Sequence, residues 1–436
     1  MSYSVQEAFQ LGLEASQGNT DLASPLANSV YGLTFRESKN LPYHRWYPYV
    51  EGFASNYVGH RILSEGKQIK RIYDPFGGAG TSMLTASCLG IESGYSEVNK
   101  FMQFVSDAKI NSTATIFAQE KRIDNIFDEY LGELQNRIAF EKRAKAVCLT
   151  QYANAFNGKD FFAIPHLRRL LAARDLAQEV FHDEQDILKI VLLAIASNVV
   201  KASNMTRRAD LRRRRPDEYK DRIIDVPLFI TDKLRQIQDD LLKCALKPLR
   251  RTFLVTDDSR QLDEGYVCTF DMAITSPPYL NGTNYCRNTK LEQWFLGFLS
   301  HESGLEKLRK KLVCAGINNV TKNRNIHHSF PKVEHIASLL DDCALDKRIP
   351  LLVRGYFSDM YNVFKTVYSY LSPGSRFYLD IGDSVFYGVH VKTDELLQDV
   401  ARQVGFSLVQ KNMLAKRYSR DRTPLVQVEL VFEKGL

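Results

Sequence analysis

The chain lacks the features that mark membrane, secreted or metal-stapled proteins. It has no apolar run of 18 or more among its 436 residues, so no transmembrane segment is predicted. It does not open on a basic region followed by an apolar core, so no secretory signal is predicted. Its seven cysteines are scattered and form neither a CxxC motif nor a cluster with zinc spacing. We therefore expect reduced thiols, a cytoplasmic location and no metal.

The positive charge is unevenly distributed. The formal net charge is +7, and residues 111–250 hold 25 Lys/Arg against 20 Asp/Glu, which is +5 of that total. The density of basic residues peaks in "MTRRADLRRRRPDEYKDR" (205–222), where four consecutive arginines cannot all be buried unpaired. A solvated face partly balanced by nearby carboxylates is one interpretation. The favoured interpretation is a ridge that contacts phosphates.

Strand and helix patterns alternate in two parts of the chain, and a helical block separates these parts. "RIYDPFGGAGTSMLTASCLG" (71–90) predicts a strand, a glycine turn and a helix, and a second strand is predicted to end at Glu97. Residues 111–250 have apolar positions at three- and four-residue spacing, which is typical of helices. Strand patterns return at 251–259 and 271–279, and the C-terminus predicts an antiparallel hairpin. The sequence therefore predicts an α/β sheet with a large helical insertion.

A glycine turn, "DPFGGAGT" (74–81), lies where a parallel strand meets a helix. Glycines there permit positive φ and let backbone amides approach a ligand such as NAD, FAD, a phosphate or S-adenosylmethionine (AdoMet). The spacing is not GxGxxG and no GxxxxGK[ST] follows, which disfavours dinucleotide and Walker-type sites. Glu97, about twenty residues further on, suits a carboxylate that binds ribose hydroxyls. Asp257 or Asp258, after the next strand, suits an adenine amino group.

A proline pair ends the later strand in "DMAITSPPYLNG" (271–282). Neither proline donates a backbone N–H and both fix φ near −65°, so the strand stops there. The same stiffness holds the neighbouring oxygens and the ring of Tyr279 in fixed directions. The pair is therefore either a plain turn with a packing tyrosine or a rigid presentation of acceptors to a ligand.

Together, DPFGGAG and the downstream SPPY resemble the DNA amino-methyltransferases, which methylate exocyclic nitrogens of cytosine or adenine using AdoMet. The resemblance covers roughly residues 41–110 and 250–436. It implies a Rossmann-like AdoMet methyltransferase sheet with a C-terminal antiparallel hairpin. It also implies that residues 46–53 cover the methionine end of the cofactor. The predicted cofactor-binding residues are Tyr49, Asp74, Phe76, Gly78, Gly80, Thr81, Glu97 and Asp258.

The resemblance gives SPPY a chemical role. An exocyclic amino group is a poor nucleophile because its lone pair is delocalised into the ring. Hydrogen bonds to the Ser276 side chain and the Pro277 carbonyl favour a pyramidal nitrogen, and positioning then does most of the rest. Pro278 stiffens the motif, and Tyr279 is predicted to stack on a base flipped out of the duplex.

Serine as the first residue of the motif favours the N4 of cytosine, and adenine N6 is the alternative. Methylation at C5 of cytosine is disfavoured because that reaction uses a cysteine nucleophile in a Pro-Cys setting, and the sequence contains no Pro-Cys. An RNA methyltransferase with the same pocket and a non-catalytic nucleic-acid-binding protein are the other hypotheses. The favoured function is the modification half of a restriction-modification system, with double-stranded DNA and a cognate endonuclease as partners.

The helical block departs from the usual family layout, because about 140 residues intervene before Asp258. We predict an N-terminal arm (1–40), an AdoMet-binding part of the catalytic domain (41–110), a helical target-recognition insertion (111–250) and a target-base part (251–436). The polar loop 316–334 competes for the recognition role, and "AKRYSRDR" (415–422) is expected to touch the DNA backbone. The predicted DNA-contacting residues are Arg207, Arg208, Arg212, Arg213, Arg214, Arg215, Lys322, Arg324 and His327.

Overall fold

The computed structural model describes residues 38–49, 52, 54–207, 210–219, 222–244, 249–280, 285–320, 326–419 and 422–436. The predicted N-terminal arm and three predicted DNA contacts, Arg208, Lys322 and Arg324, therefore lie outside the described residues, except for positions 38–40 of the arm. In the part of the chain that is described, no helix is long and apolar enough to cross a membrane.

A seven-stranded sheet forms the centre of the protein. In chain order the described strands are β1 (Arg71–Asp74), β2 (Glu92–Ser96), β3 (Met205–Arg207), β4 (Leu211–Arg213), β5 (Thr252–Thr256), β6 (Phe270–Thr275), β7 (Leu371–Gly382), β8 (Ser384–Phe386), β9 (Val389–Val391), β10 (Phe406–Tyr418) and β11 (Pro424–Lys434). The sheet order is β10-β11-β7-β6-β1-β2-β5. Strands β5, β2, β1, β6 and β7 run parallel, and β11 is antiparallel to both of its neighbours. The predicted fold class, a parallel α/β sheet closed by an antiparallel C-terminal hairpin, is confirmed.

Helices cover the sheet. The described α-helices are α1 (Ser55–Ser64), α2 (Thr81–Cys88), α3 (Lys100–Asp107), α4 (Thr113–Ala118), α5 (Asp128–Gln135), α6 (Arg137–Ala146), α7 (Thr150–Phe156), α8 (Ile164–Val180), α9 (Gln185–Ala196), α10 (Val199–Ala202), α11 (Val226–Cys244), α12 (Tyr285–Asn288), α13 (Lys290–Phe295), α14 (Gly304–Lys311), α15 (Pro331–Cys343), α16 (Arg348–Tyr370) and α17 (Thr393–Val404). The central strand β6 is buried along most of its length, as its continuous apolar run requires between two helical layers.

The predicted helical block is present between β2 and β5, and it leaves and rejoins the sheet at one place. A π-helical turn, Ala108–Ser112, follows α3 and brings Asn111 against the first residue of β5. The Asn111 amide donates to the Thr252 carbonyl (3.0 Å), and its oxygen accepts from the Thr252 N–H (2.9 Å). The side chain thus pairs with the edge strand as another strand residue would.

The helical block shares its core with the cofactor-side half of the protein. One buried apolar cluster runs from Tyr43 and Trp46 through Met83 and Phe101 to Leu291 and Trp294, and it takes in the buried faces of the helices of the block. The domain boundaries given above remain a prediction. In packing terms, the block is continuous with the elements that carry the glycine turn.

The arginine-rich stretch contains an element that the periodicity does not predict. Strands β3 and β4 form a short antiparallel hairpin in which Met205 pairs with Arg213 and Arg207 with Leu211. Only Met205 and Leu211 of this hairpin point into the core, which explains why no apolar alternation is visible in its sequence.

Candidate active site

The two sequence motifs meet at one cavity, at the carboxyl ends of the parallel strands. Parallel sheets bind ligands in this position, where the strand order reverses around β1. The residues that line it are Tyr49, Gly52, Pro75, Phe76, Gly77, Gly78, Ala79, Thr81, Ser96, Glu97, Val98, Asn99, Met102, Asp257, Asp258, Ser259, Ser276, Pro278, Cys286, Lys311, Leu312 and Val313.

Asp74 holds the glycine turn from behind instead of lining the cavity. Its carboxylate is 1% exposed and accepts hydrogen bonds from the Phe76 N–H (2.9 Å), the Thr275 hydroxyl (2.7 Å) and the Ser82 hydroxyl. Burial raises the pKa of Asp74, and these hydrogen bonds oppose the rise. Because Thr275 immediately precedes SPPY, Asp74 ties the glycine turn to the proline motif.

Gly80 is constrained both by its backbone conformation and by its neighbour. It precedes α2 with φ +90°, and a Cβ atom there would lie 2.9 Å from the Ser106 hydroxyl oxygen. Gly80 does not itself line the cavity. Its conformation turns the chain so that Gly78 and Ala79 do.

Gly80→Ala is expected to lower both thermal stability and AdoMet affinity, because it adds the Ser106 contact to the strain of positive φ. Gly90→Ala is the matched control, since Gly90 has φ +77° and nothing within 4 Å of its added Cβ. Thermal denaturation and AdoMet titration of the two variants separate the effects. Equal losses in both variants would mean that only backbone strain matters.

Glu97 lies in the cavity immediately after β2, as predicted. Its two carboxylate oxygens accept from the Gly78 N–H (2.9 Å) and the Asn99 N–H (2.8 Å), so the side chain is fixed beside the turn. Burial raises the pKa of Glu97 to about 7, against the opposing effect of these backbone hydrogen bonds. Each oxygen keeps acceptor capacity for a ligand that reaches it from the cavity.

Asp257 and Asp258 both line the cavity after β5, and they differ in their partners. Both oxygens of Asp258 accept from Arg260, at 2.9 and 2.8 Å, and Arg260 also pairs with Asp359. Asp257 forms an ion pair with Lys311 at the rim and is 41% exposed. Asp258 is therefore the fixed carboxylate of the two, and Asp257 is the one at the surface.

The aromatic stretch before α1 is anchored by the helical block. Asp240, on α11, has a fully buried carboxylate that accepts from the Trp46 indole N–H (2.9 Å) and from Arg45. Tyr49, three residues after Trp46, lines the cavity, as the sequence predicts. Asp240 was not singled out from the sequence, because its partners lie almost 200 residues away.

Lys109 is a second residue near the site that the sequence analysis did not single out. It lies in the π-helical turn, is 1% exposed, and donates to the carbonyl oxygens of Ala79 and Tyr47, each at 3.3 Å. Burial lowers the pKa of Lys109 to about 7. The side chain therefore connects the glycine turn to the aromatic stretch on the other side of the cavity.

The SPPY motif reaches the same cavity from β6. Ser276 and Pro278 line it, and Pro277 is buried between them. Tyr279 lies just outside the set of lining residues, and its hydroxyl donates to Asp380 on β7 (2.8 Å). Burial raises the pKa of Tyr279, the charge of Asp380 adds to the rise, and a hydrogen bond from Ser276 opposes it.

Three strands meet around the ring of Tyr279. The guanidinium carbon of Arg417, on β10, lies 5.7 Å from the ring centroid. Gly382, at the end of β7, leaves the space that the ring and the guanidinium share, because a Cβ there would clash with Arg417 and lie 3.1 Å from the ring. Asp380 is also held by Gln427 (2.7 Å), and burial raises the pKa of Asp380 to about 6.

The predicted DNA-contacting arginines fall into different environments. Arg207 is largely buried in an ion pair with Glu292 and donates to the Asn288 carbonyl (3.0 Å), which favours a structural role. Arg212 forms a two-bond pair with Glu218, and Arg213 pairs with Asp160. Arg214 has no carboxylate partner, and its Nε is buried without a hydrogen bond.

No protein-family model matches the sequence. It is 25% identical over 409 residues to the Type II methyltransferase M.AvaI of Nostoc sp. and of Anabaena variabilis, a match that covers 86% of this chain and 81% of each relative. It is 23% identical over 442 residues to the Type II methyltransferase M.BsoBI of Geobacillus stearothermophilus, covering 88% and 82%. The chain is similar to Type II methyltransferases along most of its length.

This similarity supports the methyltransferase class that the two motifs predict, and it does not distinguish cytosine N4 from adenine N6. Among solved structures, a SAM-dependent methyltransferase from Methanosarcina mazei matches 86% of this chain and 97% of that chain. The identity is 8% and the TM-score 0.28, too distant for an argument. Within the described ranges, no group of three or more His, Cys, Asp or Glu side chains is placed to hold a metal ion.

Proposed function

We propose that this protein transfers a methyl group from AdoMet to the exocyclic N4 of cytosine in duplex DNA, as the modification enzyme of a restriction-modification system. The observation that carries the proposal is the shared cavity, which Gly78 and Glu97 line from one side and Ser276 and Pro278 from the other. The similarity to Type II methyltransferases over 86% of the chain supports it.

The residues of the cavity fit AdoMet by their donor and acceptor chemistry. In the proposal Glu97 accepts from the ribose hydroxyls, Asp257 or Asp258 accepts from the adenine amino group, and Tyr49 covers the methionine end. All four residues line the cavity. When bound, AdoMet supplies a methyl group on a sulfonium, which makes that carbon electrophilic.

A hydrogen bond behind SPPY holds the motif that presents the acceptors. The Tyr279 hydroxyl donates to Asp380 on β7. In the proposal, the Ser276 hydroxyl, which lines the cavity, presents oxygen lone pairs to an incoming amino N–H. The Pro277 carbonyl is the second acceptor in the proposal. Both withdraw amino hydrogens toward oxygen, which concentrates electron density on the nitrogen as it attacks.

Tyr279 supplies a stacking surface for a flipped base in this proposal. Its hydroxyl bond to Asp380 makes the ring electron-rich, and its face already carries the planar cation of Arg417. A nucleobase gains positive charge as its amino group is methylated, so the same face suits it electrostatically. Base and guanidinium then compete for one position.

Arg417→Ala is therefore expected to tighten binding of a substrate duplex about two- to fivefold, because the base no longer displaces a cation–π contact. A duplex with an abasic site at the target position should show no such gain. Direct binding titrations of both duplexes measure the difference. Weaker binding of both would instead make Arg417 a phosphate contact, as expected from the sequence of 415–422.

The decisive experiment expresses this protein alone in a host without other DNA methylation and digests the host DNA to nucleosides. We expect N4-methylcytosine by mass spectrometry. N6-methyladenine would replace the cytosine assignment and leave the pocket assignment intact. Modified nucleosides confined to RNA would favour the RNA alternative, and DNA binding with neither AdoMet retention nor turnover would favour the non-catalytic one.

A further inference from the structure

The helical block contains two arginines and a histidine that have no carboxylate partner among the described residues. Most arginines of this block form ion pairs, including Arg137 with Asp225, Arg143 with Glu179 and Arg169 with Glu141. His166 at the start of α8, Arg214 after β4 and Arg222 before α11 have no such pair in the described chain. Two ring or guanidinium atoms of this group, His166 Nδ1 and Arg214 Nε, are buried without any hydrogen bond.

Hydrogen bonds bring the segments that carry these side chains together around Asn204. Its N–H donates to the Phe161 carbonyl (2.7 Å), just before α8, and its carbonyl accepts from the Arg214 N–H (3.0 Å). Arg222 donates to the carbonyl of Lys201, three residues before Asn204.

Burial lowers the pKa of Arg222, and the charge of Arg214 adds to the fall. Burial also lowers the pKa of His166, and the charges of Arg169 and Arg222 add to that fall. Concentrated like charge without a counter-charge costs stability, and a bound anion relieves that cost. A merely solvated basic face would spread its charges and leave no buried donors unpaired.

The position of the group relates it to the cavity. The β3–β4 hairpin, which leads into Arg214, is fixed to the end of α12 because the Leu211 N–H donates to the Asn288 side chain (2.9 Å). Two residues earlier on α12, Cys286 lines the cavity. The hairpin therefore lies beside the cavity, so in the proposed reaction DNA that delivers a base to Ser276 would bring phosphates to this side.

We propose that His166, Arg214 and Arg222 form a contact site for the phosphate backbone of duplex DNA beside the flipped nucleotide. The inference rests on the proposed function for its choice of anion. It divides the arginine-rich stretch into two classes. Arg207, Arg212 and Arg213 fix the hairpin to its surroundings through their carboxylate partners, whereas Arg214 and Arg222, with His166 of α8, contact DNA.

The test is the salt dependence of DNA binding by Arg214→Gln, Arg222→Gln and the double variant. Each lost phosphate contact should reduce the slope of log Kd against log salt by about 0.9, which is about eightfold in affinity at 0.1 M salt. The loss should be the same on specific and unrelated duplexes, because phosphates carry no sequence information. Arg143→Gln, which loses only an exposed ion pair with Glu179, is the control and should keep the original slope.

A conservative variant and further measurements distinguish the possible explanations of a changed slope. Arg222→Lys retains the charge and should retain the slope, which distinguishes loss of a contact from misfolding. AdoMet affinity and turnover at saturating DNA should be unchanged in all variants.

A double variant that keeps the original slope overturns the phosphate site, even if the unaltered protein methylates DNA. An unaltered protein that never methylates DNA, but whose double variant loses the slope, overturns the proposed function and leaves the contact site in place. The contact site would also be wrong if inorganic phosphate competed as well as DNA at the same phosphate concentration, since the site would then bind free anions.

Discussion

Ser276→Ala is expected to lower the rate of methyl transfer at saturating DNA by about 10²- to 10³-fold, the effect of removing one preorganised hydrogen-bonding group that stabilises a transition state. The alanine leaves the cavity open and the proline pair in place, so AdoMet affinity should stay within about twofold. It leaves the hydrogen bond from the Tyr279 hydroxyl to Asp380 in place. Single-turnover methylation with labelled AdoMet measures the loss directly.

Two comparisons make this result specific to the motif. Tyr279→Ala is expected to abolish transfer, because it removes both the stacking surface and the bond to Asp380. Ser372→Ala, at the start of β7, removes a serine whose hydroxyl donates to the Cys268 carbonyl and should leave transfer unchanged. Full activity in Ser276→Ala and Tyr279→Ala would contradict the assignment of SPPY as the site that holds the target base.

Glu97→Gln is expected to weaken AdoMet binding about 10- to 100-fold, because both carboxylate oxygens already accept from backbone N–H groups. The amide NH₂ that replaces one carboxylate oxygen then faces the backbone N–H of Gly78 or Asn99, and two hydrogen-bond donors cannot pair. The turn is disturbed at the point where the ribose is proposed to bind. Equilibrium titration with AdoMet gives the affinity. Glu92→Gln, at the start of the strand that Glu97 follows and paired with half-buried Arg71, is the control and should bind normally.

The same carboxyl gives AdoMet binding a pH dependence. Its folded pKa of about 7 exceeds its usual 4.5, so its contribution to stability is complete below pH 4.5 and is lost as the pH rises through 7. Ribose hydroxyls donate to the ionised form, so bound AdoMet favours deprotonation. Binding should therefore weaken as the pH falls below 7, by up to about tenfold per unit. Glu97→Gln should flatten this profile, and a profile that stays steep would place the titrating group elsewhere.

The parts of the site that were predictable from the sequence are those that local chain chemistry fixes. The turn that Gly78 and Gly80 make, the position of Glu97 after β2 and the end of β6 at the proline pair each depend on a few adjacent residues. Parallel strands bring such ends to one edge of the sheet, so their meeting at one cavity follows from the strand pattern.

The unpredicted parts depend on pairs that are far apart in sequence. Arg207 reads as a surface arginine until Glu292 is placed beside it, and Asp240 is an ordinary helix residue until Trp46 reaches it. The spacing of apolar residues does not predict the β3–β4 hairpin, because each of its strands is only three residues long and mostly polar. In a run of four arginines, the sequence does not show which side chains pair with a carboxylate. Only the positions of the carboxylates in the folded protein distinguish them.

The pairing of Asn111 with Thr252 has an evolutionary consequence. The segment that follows α3 returns to the sheet at the edge strand β5, where Asn111 pairs with Thr252, so no strand register sets its length. Replacement of the whole block by another is then limited by the apolar surface that it presents to Met83 and Phe101 and by polar ties such as that of Asp240 to Trp46. If the block reads DNA sequence, as predicted, its exchange would change the sequence preference and leave the residues of the cavity in place.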